Sequence, residues 1–282
     1  MFKTLQQACT PRQSAFDPTT SDIVYNIDNL PQIDGASFFA ENYVTEGMRS
    51  LLTEAFKRLE GKSQSSSGAF LLSQAMGGGK THNLIALGLL AKHPNLRGKV
   101  MQDFYTPGPL GAVRVVTFSG RNTHTPFGLW GEIAKSLNRQ DVFKDFYQPL
   151  VPPSDSAWVE LLHGEPVLLL LDELPPYFEA MRAKEVGATT LDVITTTALA
   201  NLFVAIAGGK LPNACVVVTD LRASAYGAGS AAVSAALQNL EGEANRVAVR
   251  IDPVRLNSDE LYHILRTRLF EQVAAPADID EV

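Results

Sequence analysis

The chain of 282 residues has an apolar content of 45% and a charged content of 19%, values that are ordinary for a folded protein and exclude wholesale disorder. Its formal net charge of -6 at pH 7 argues against a dominant nucleic-acid-binding surface, so nucleic acid is a partner only through a local basic face. No apolar run approaches the length of a membrane span and the first residues lack a signal-peptide core, which predicts a cytoplasmic protein without a membrane partner. Cys9 and Cys215 are expected to be free thiols in a reducing compartment.

The first part of the chain is polar and dotted with prolines, and residues 1–35 predict an irregular arm. Thr45 then opens an amphipathic helix that Gly61 ends, with Thr45 as its cap. This helix either covers the core or packs beside the ligand site that follows it. We predict two parts: residues 1–60 form an N-terminal arm and helix that pack on the core, and residues 61–282 form the core, without a following lid or C-terminal region.

A glycine cluster between a strand and a helix is the strongest motif in the sequence. A predicted strand, residues 69–73, leads into the loop Gln74–Gly79, and a predicted helix, residues 81–92, follows. The pattern is typical of a P-loop, in which backbone N–H groups surround the phosphates of a nucleotide. Lys80 would contact the β- and γ-phosphates, and the hydroxyl of Thr81 would bind Mg²⁺.

The residues expected to bind the nucleotide are consecutive in the sequence. They are Gln74, Ala75, Met76, Gly77, Gly78, Gly79, Lys80, Thr81 and His82. One departure from the usual pattern is that Gln74 stands where the first glycine is expected. The alternative is a glycine-rich turn beside a surface lysine.

A second predicted strand, residues 112–118, ends in a loop rich in hydrogen-bonding groups. The carboxyl ends of parallel strands are where such sheets bind ligands, so Arg121 in this loop is placed to reach a phosphate or a partner, or to remain in solvent. Trp130 belongs to the apolar face of the next predicted helix and is interpreted as a packing residue rather than as an adenine platform.

The third predicted strand, residues 166–173, is an apolar run that ends in two carboxylates. Asp172 would bind Mg²⁺ and Glu173 would orient and deprotonate the attacking water, as in a Walker B motif. The alternative is a strand that ends in a surface acidic pair. The predicted strand of residues 112–118 lies in sequence between the strand before the glycine cluster and this third strand, and a glutamate follows the aspartate. These two features predict a three-layer αβα P-loop fold with a mostly parallel five-stranded sheet, of the AAA-like division with an additional strand and a catalytic glutamate.

The remaining predicted elements supply candidates that act on the γ-phosphate. The Pro-Pro pair after Leu174 is expected to break the strand, with the chain resuming as a helix near Thr190 that ends at Gly208. A fourth strand, residues 214–218, ends at Thr219, the first choice for a sensor of the γ-phosphate, and Asp220 is the second; ordinary strand-end hydrogen bonding is the alternative.

A fifth strand, residues 247–251, follows a small-residue helix and Arg246. By position Arg246 is either an arginine finger for a neighbouring subunit or a surface arginine. Asn257 and Glu260 predict a capping box for the last helix, which is expected to run to Val273. The candidate catalytic residues are therefore Glu173, Lys80, Thr219 and Arg246, and the candidate metal ligands are Thr81 and Asp172.

Four segments together resemble a known family: FFAENYVTEGM, GGGKTH, LLLLDE and VAVRIDPVRLNSDELYHILRTRLF. They are similar to the amino-terminal ATPase region of large bacterial and archaeal AAA-like ATPases known as domain of unknown function number 499, which are often encoded in phage-defence gene clusters. The resemblance implies ATP and Mg²⁺ as cofactors and roles for Gly77, Gly79, Lys80, Thr81, Asp172 and Glu173. His82 also matches, without a role beyond packing.

Three functions are compatible with these patterns. The first is hydrolysis of ATP that drives conformational change in a larger anti-phage defence or DNA-processing assembly, through protein partners or self-association. The second is a scaffold that binds ATP, turns over little and recruits partners in one nucleotide state. The third is a helicase-type motor core, because QAMGGGKT resembles some helicase loops.

Overall fold

The structure, a computed structural model, describes residues 8–15, 25–73, 78–219, 221, 231–254 and 259–274. The strands are β1 (Cys9–Pro11), β2 (Ala69–Leu72), β3 (Arg114–Ser119), β4 (Val167–Asp172), β5 (Glu185–Val186), β6 (Thr189–Thr190), β7 (Ala214–Thr219), β8 (Val249–Ile251) and β9 (Phe270–Val273). The helices are α1 (Gly35–Glu41), α2 (Glu46–Leu59), α3 (Lys80–Lys92), α4 (Pro94–Met101), α5 (Gly128–Ser136), α6 (Asp155–Leu162), α7 (Leu174–Arg182), α8 (Leu191–Ala207), α9 (Ala231–Val247) and α10 (Glu260–Leu269). Short 3-10 segments cover Gln13–Ala15, Ile27–Gln32 and Gln140–Phe146.

The central sheet has five parallel strands in the order β3-β4-β7-β2-β8. In this order β7 separates β2, which precedes the glycine turn, from β4, which ends at the acidic pair Asp172 and Glu173. This arrangement confirms the predicted three-layer αβα fold with an additional strand between β2 and β4. Because every strand runs in the same direction, the carboxyl ends of β3, β4, β7 and β2 meet along one edge of the sheet.

Each face of the sheet is covered by its own hydrophobic core. Along β2, Ala69 and Leu71 pack with helices α5 to α9, whereas Phe70 and Leu72 pack on the other face with helices α1 to α4. The leucines of β4 alternate between the two cores in the same way. This two-sided burial explains why these strands are apolar at successive positions instead of at alternate ones.

The helix predicted before the glycine turn is α2. The side chain of Thr45 accepts the N–H of Met48 at 3.1 Å and caps the helix as predicted. The Thr45 hydroxyl also donates to the carbonyl of Pro253 at 2.6 Å, a contact over 208 residues of sequence. The start of α2 is therefore attached to the chain that follows β8.

The sequence prediction is wrong in three places. In the described part of residues 1–35 the chain is not irregular throughout, because β1 pairs with β9 and Gly35 begins α1. Strand β4 does end before the Pro-Pro pair, but the next helix does not wait until Thr190: α7 begins at Leu174, since proline is tolerated in the first helical turn, where N–H groups have no intrahelical partner.

The last helix also differs from its prediction. Helix α10 begins at Glu260, and Asp259 at its N-cap makes no side-chain cap bond. Asn257 lies outside the described residues. The helix ends at Leu269 and the chain continues as β9, because residues 270–273 pair with β1 instead of extending the helix.

The two cysteines give a direct test of the fold. Cys215 lies in the centre of the sheet with 0% exposure, and burial raises the pKa of its thiol to about 12. Cys9 is half-buried in β1. Because the thiolate is the reactive form, we expect a maleimide to label one thiol, Cys9, in the native protein and both thiols in denaturant. Native labelling of Cys215, measured by mass spectrometry of the peptides, would contradict the position of β7.

Among the described residues, no helix combines the length and the apolar character needed to cross a membrane.

Candidate nucleotide-binding site

The glycine turn leads directly into α3. Gly79 is the N-cap of this helix with φ of 78°, in the left-handed region where a side chain would be strained. The backbone N–H and the side-chain amide of Asn83 both donate to the Gly79 carbonyl, at 3.1 and 3.0 Å, and fix the turn on the helix. Lys80 and Thr81 are the first two helical residues, so they lie at the positive end of the helix. Gln74, Ala75, Met76 and Gly77 lie outside the described residues.

Asp172 at the end of β4 lies between two hydroxyl groups. Thr81 Oγ1 donates to Asp172 Oδ2 at 2.8 Å, and Thr219 Oγ1 donates to Asp172 Oδ1 at 2.7 Å. The carboxylate is only 4% exposed, and this burial raises the pKa of Asp172, while the two hydroxyl donors oppose the rise. The structure thus joins the helix after the glycine turn to the acidic end of β4 through side chains 91 residues apart.

The same residues are suited to Mg²⁺. Thr81 and Asp172 provide hydroxyl and carboxylate oxygens at one point, which are the hard oxygen ligands that Mg²⁺ prefers. In the part of the chain that the structure describes, no group of three or more His, Cys, Asp or Glu side chains could hold a metal ion. This donor set fits Mg²⁺, which commonly takes one or two protein ligands and completes its shell with phosphate oxygens and water.

Glu173 follows Asp172 in a left-handed conformation, with φ of 52° and ψ of 43°, which is uncommon for a residue other than glycine. Its backbone N–H donates to Thr219 Oγ1 at 3.0 Å, so the Thr219 hydroxyl contacts both Asp172 and Glu173. The Glu173 carboxylate pairs with the guanidinium of Arg121: Nε donates to Oε2, and Nη2 donates to Oε1 at 3.3 Å. Arg121 therefore reaches the acidic pair.

A pocket of about 280 Å³ opens beside the glycine turn. Apolar side chains supply much of its wall, as in most small-molecule sites. Its lining residues are Asn42, Tyr43, Thr45, Met48, Gly78, Gly79, His82, Asn83, Val254, Leu261, Ile264 and Arg268. The start of α2, the first turn of α3 and one side of α10 thus surround one space, which we call the side pocket.

His82 and Arg268 meet on the wall of the side pocket. Arg268 Nη2 lies 3.0 Å from His82 Nε2. Burial, together with the charge of Arg268, lowers the pKa of His82 to about 4, so the imidazole is neutral at pH 7 and Nε2 can accept a hydrogen bond from the guanidinium. The edge contact with Tyr25, at 5.1 Å between ring centroids, completes the packing of His82.

The structure brings together most of the described candidates, but not Arg246. That residue lies in the last turn of α9, where it pairs with Glu243 at 3.1 Å, and its side chain is 74% exposed. It makes no described contact with Asp172, Glu173 or Thr81. Asp220 lies outside the described residues. Trp130 is 0% exposed in the core on the α5 side of the sheet and is a packing residue, as expected.

Sequence reasoning misses the wall of the side pocket. Tyr43 and Arg268 lie within two of the segments that carry the family resemblance, FFAENYVTEGM and VAVRIDPVRLNSDELYHILRTRLF, but the sequence assigns no role to either residue or to Asn83. Gly120 is also missed. Its N–H donates to the Asp172 carbonyl at 2.8 Å, and a Cβ atom there would lie 1.9 Å from the Glu173 carbonyl oxygen.

The solved structures that are similar to this chain include two crystal structures. One is of a DNA replication initiation factor, with 16% identity and a TM-score of 0.35, over 77% of this chain and 50% of that one. The other is of Cdc6p from Pyrobaculum aerophilum, with 17% identity and a TM-score of 0.39, over 86% of this chain and 55% of that one. The chain spans about half the length of these structures.

None of the curated proteins matches the sequence. Residues 11–99 match the family model described as the DUF499 N-terminal domain, and this match includes two of the segments that carry the resemblance, FFAENYVTEGM and GGGKTH.

Proposed function

We propose that this protein binds ATP with Mg²⁺ and hydrolyses it by attack of water on the γ-phosphorus. The observation that carries the proposal is the contact of Thr81, at the start of α3, with Asp172, which places the hydroxyl after the glycine turn against the carboxylate at the end of β4. The side pocket next to Gly78 and Gly79 offers space for the base and ribose.

In this proposal each group has one task. The amides of residues 74–79 and Lys80 hold the triphosphate, and Thr81 and Asp172 hold Mg²⁺, which neutralises charge on the phosphate oxygens when it is bound. Glu173 accepts a proton from the attacking water, whose oxygen bonds to phosphorus as the bond to ADP breaks. Thr219 orients both carboxylate residues through its hydroxyl. Arg246 would act on the nucleotide of a neighbouring copy.

A second candidate, the nucleotide-gated scaffold, is favoured by the Arg121–Glu173 ion pair. While Arg121 occupies both carboxylate oxygens, Glu173 must exchange this partner for water before it can act as a base. A chain that remained in this state would bind ATP and hydrolyse it slowly. In either case, we infer that residues 61–282 form the nucleotide-binding core, that residues 1–60 pack on it, and that the core serves a larger defence or DNA-processing assembly.

Binding of MgATP to a Lys80→Ala variant tests the proposal. Because Lys80 would contact the β- and γ-phosphates, we expect the variant to bind MgATP at least about tenfold more weakly by calorimetry, since a phosphate loses its charged partner. Lys92→Ala, at the other end of the same helix, is the matched control and should keep the wild-type affinity. Equal affinities of wild type and Lys80→Ala, or no binding by the wild type, would contradict the proposal.

A further inference from the structure

Helix α10 forms one wall of the side pocket and is held at its N-terminal end by the start of α2. Glu260 is 5% exposed, and its Oε1 accepts the backbone N–H of Glu46 at 2.6 Å. The neighbouring bond from Thr45 to the Pro253 carbonyl attaches the chain just before α10 to the same point. The first turn of α10 is thus fixed to the start of α2, which itself lines the side pocket.

The C-terminal end of α10 is held by a residue far away in the sequence, Arg12. Its backbone N–H donates to the Leu269 carbonyl at 2.9 Å, and its Nε donates to the Thr267 carbonyl at 2.8 Å. Its Nη2 donates to the Ala40 carbonyl at 2.6 Å, near the end of α1. One guanidinium therefore joins the last turn of α10 to the segment that leads into the pocket residues Asn42 and Tyr43.

The carbonyls that Arg12 holds flank Arg268. Thr267 and Leu269 are the neighbours of Arg268 in the chain, so Arg12 fixes the backbone from which the Arg268 side chain extends toward His82. Pairing of β1 with β9, which immediately follows α10, adds to the attachment. If this end of α10 moved, the side pocket would lose Arg268 and the contact to the first turn of α3.

We propose that Arg12 is a positioning residue for nucleotide binding, because it holds the last turn of α10 in place as a wall of the side pocket. The pairing of β1 with β9 and the binding of nucleotide then stabilise each other. This inference rests on the proposed function. Coupling between two binding events is reciprocal: if the attached end raises the affinity for a nucleotide, the nucleotide strengthens the attachment by the same factor.

The affinity of an Arg12→Ala variant for MgATP is the first measurement. We expect this affinity to be about tenfold weaker than that of the wild type. If α10 is in place in only about a tenth of the variant molecules, the apparent affinity falls by the same factor. Arg12→Lys, which keeps the charge and can donate to one carbonyl, should recover part of the loss. Arg139→Ala is the matched control: Arg139 also donates to two carbonyls, those of Leu161 and His163, at 2.7 and 3.2 Å, and neither residue lines the pocket.

Hydrogen exchange of the wild type supplies the reciprocal measurement, which a purely structural role for Arg12 would not change. The amides of Arg12 and Ala274 bond to Leu269 and Ala8 across this attachment, and saturating MgATP should slow their exchange about tenfold. If Arg12→Ala binds MgATP as tightly as the wild type, or if MgATP leaves this exchange unchanged, the inference is overturned while the proposed function stands. If the wild type does not bind MgATP, both fall.

Discussion

Replacement of Glu173 by glutamine is expected to lower the steady-state rate of phosphate release at saturating MgATP by about 10²- to 10⁴-fold, the usual contribution of a general base. Glutamine keeps the size of the side chain but cannot accept the proton of the attacking water. The affinity for MgATP should change little, because the roles assigned to Lys80, Thr81 and Asp172 do not depend on this carboxylate. Phosphate release and nucleotide binding are measured on the same preparation.

The control for this prediction is Glu185→Gln, which removes the charge of an exposed glutamate in β5 and should leave the rate unchanged. A slow phosphate release that is the same in wild type and Glu173→Gln would favour the nucleotide-gated scaffold over the hydrolase. A full rate in Glu173→Gln would show that another group activates the water, and it would remove Glu173 from the site.

The central sheet is predictable from the sequence because each strand is marked locally. The apolar runs of β2, β4 and β7 are each followed in the sequence by polar residues or glycines. Parallel strands also require crossover connections, which are usually helices, between them. The glycine turn, the acidic pair and Thr219 are found in the same way, since each lies at the end of such a run. Their meeting at one edge follows from the parallel order of the strands.

The side pocket is not predictable in this way, because its wall depends on pairing between distant segments. Strand β1 consists of a cysteine, a threonine and a proline, and nothing within these residues indicates a partner at β9. The apolar positions of α10 are mostly exposed: Leu261, Leu265 and Leu269 are 48%, 58% and 41% accessible. A pattern of this kind predicts a helix but not the surface against which it packs. The role of Arg12 becomes visible only when its carbonyl partners are known.

Gly120 illustrates a constraint that a single sequence does not reveal. Its ideal Cβ atom would lie 1.9 Å from the carbonyl oxygen of Glu173 and 2.8 Å from the Cα atom of Leu174, distances that real side chains do not reach. The crowding atoms belong to the backbone of the turn between β4 and α7. They cannot move without shifting Glu173, which already holds a left-handed conformation.

Gly120→Ala is therefore expected to destabilise the protein by about 3 kcal/mol, at the upper end of the cost of overpacking, because the ends of β3 and β4 must separate and the bond from Gly120 to the Asp172 carbonyl is lost. The shift displaces Glu173 relative to Thr219, so hydrolysis should fall at least about a hundredfold even at a temperature where the variant is folded, since small misplacements of reacting groups carry such costs.

The free energy of unfolding in urea and the rate of phosphate release measure the two effects separately. Gly98→Ala is the matched control, because a Cβ atom at that position of α4 meets no atom within 4 Å. In a helix interior it should stabilise the protein by up to about 1 kcal/mol, since alanine favours helix more than glycine does. A Gly120→Ala variant with wild-type stability would show that β3 and β4 end farther apart than the structure has them. The crowded backbone carries the Glu173 carboxylate. Wild-type hydrolysis by a destabilised Gly120→Ala would therefore show that the position of the turn at Glu173 does not affect the rate of hydrolysis.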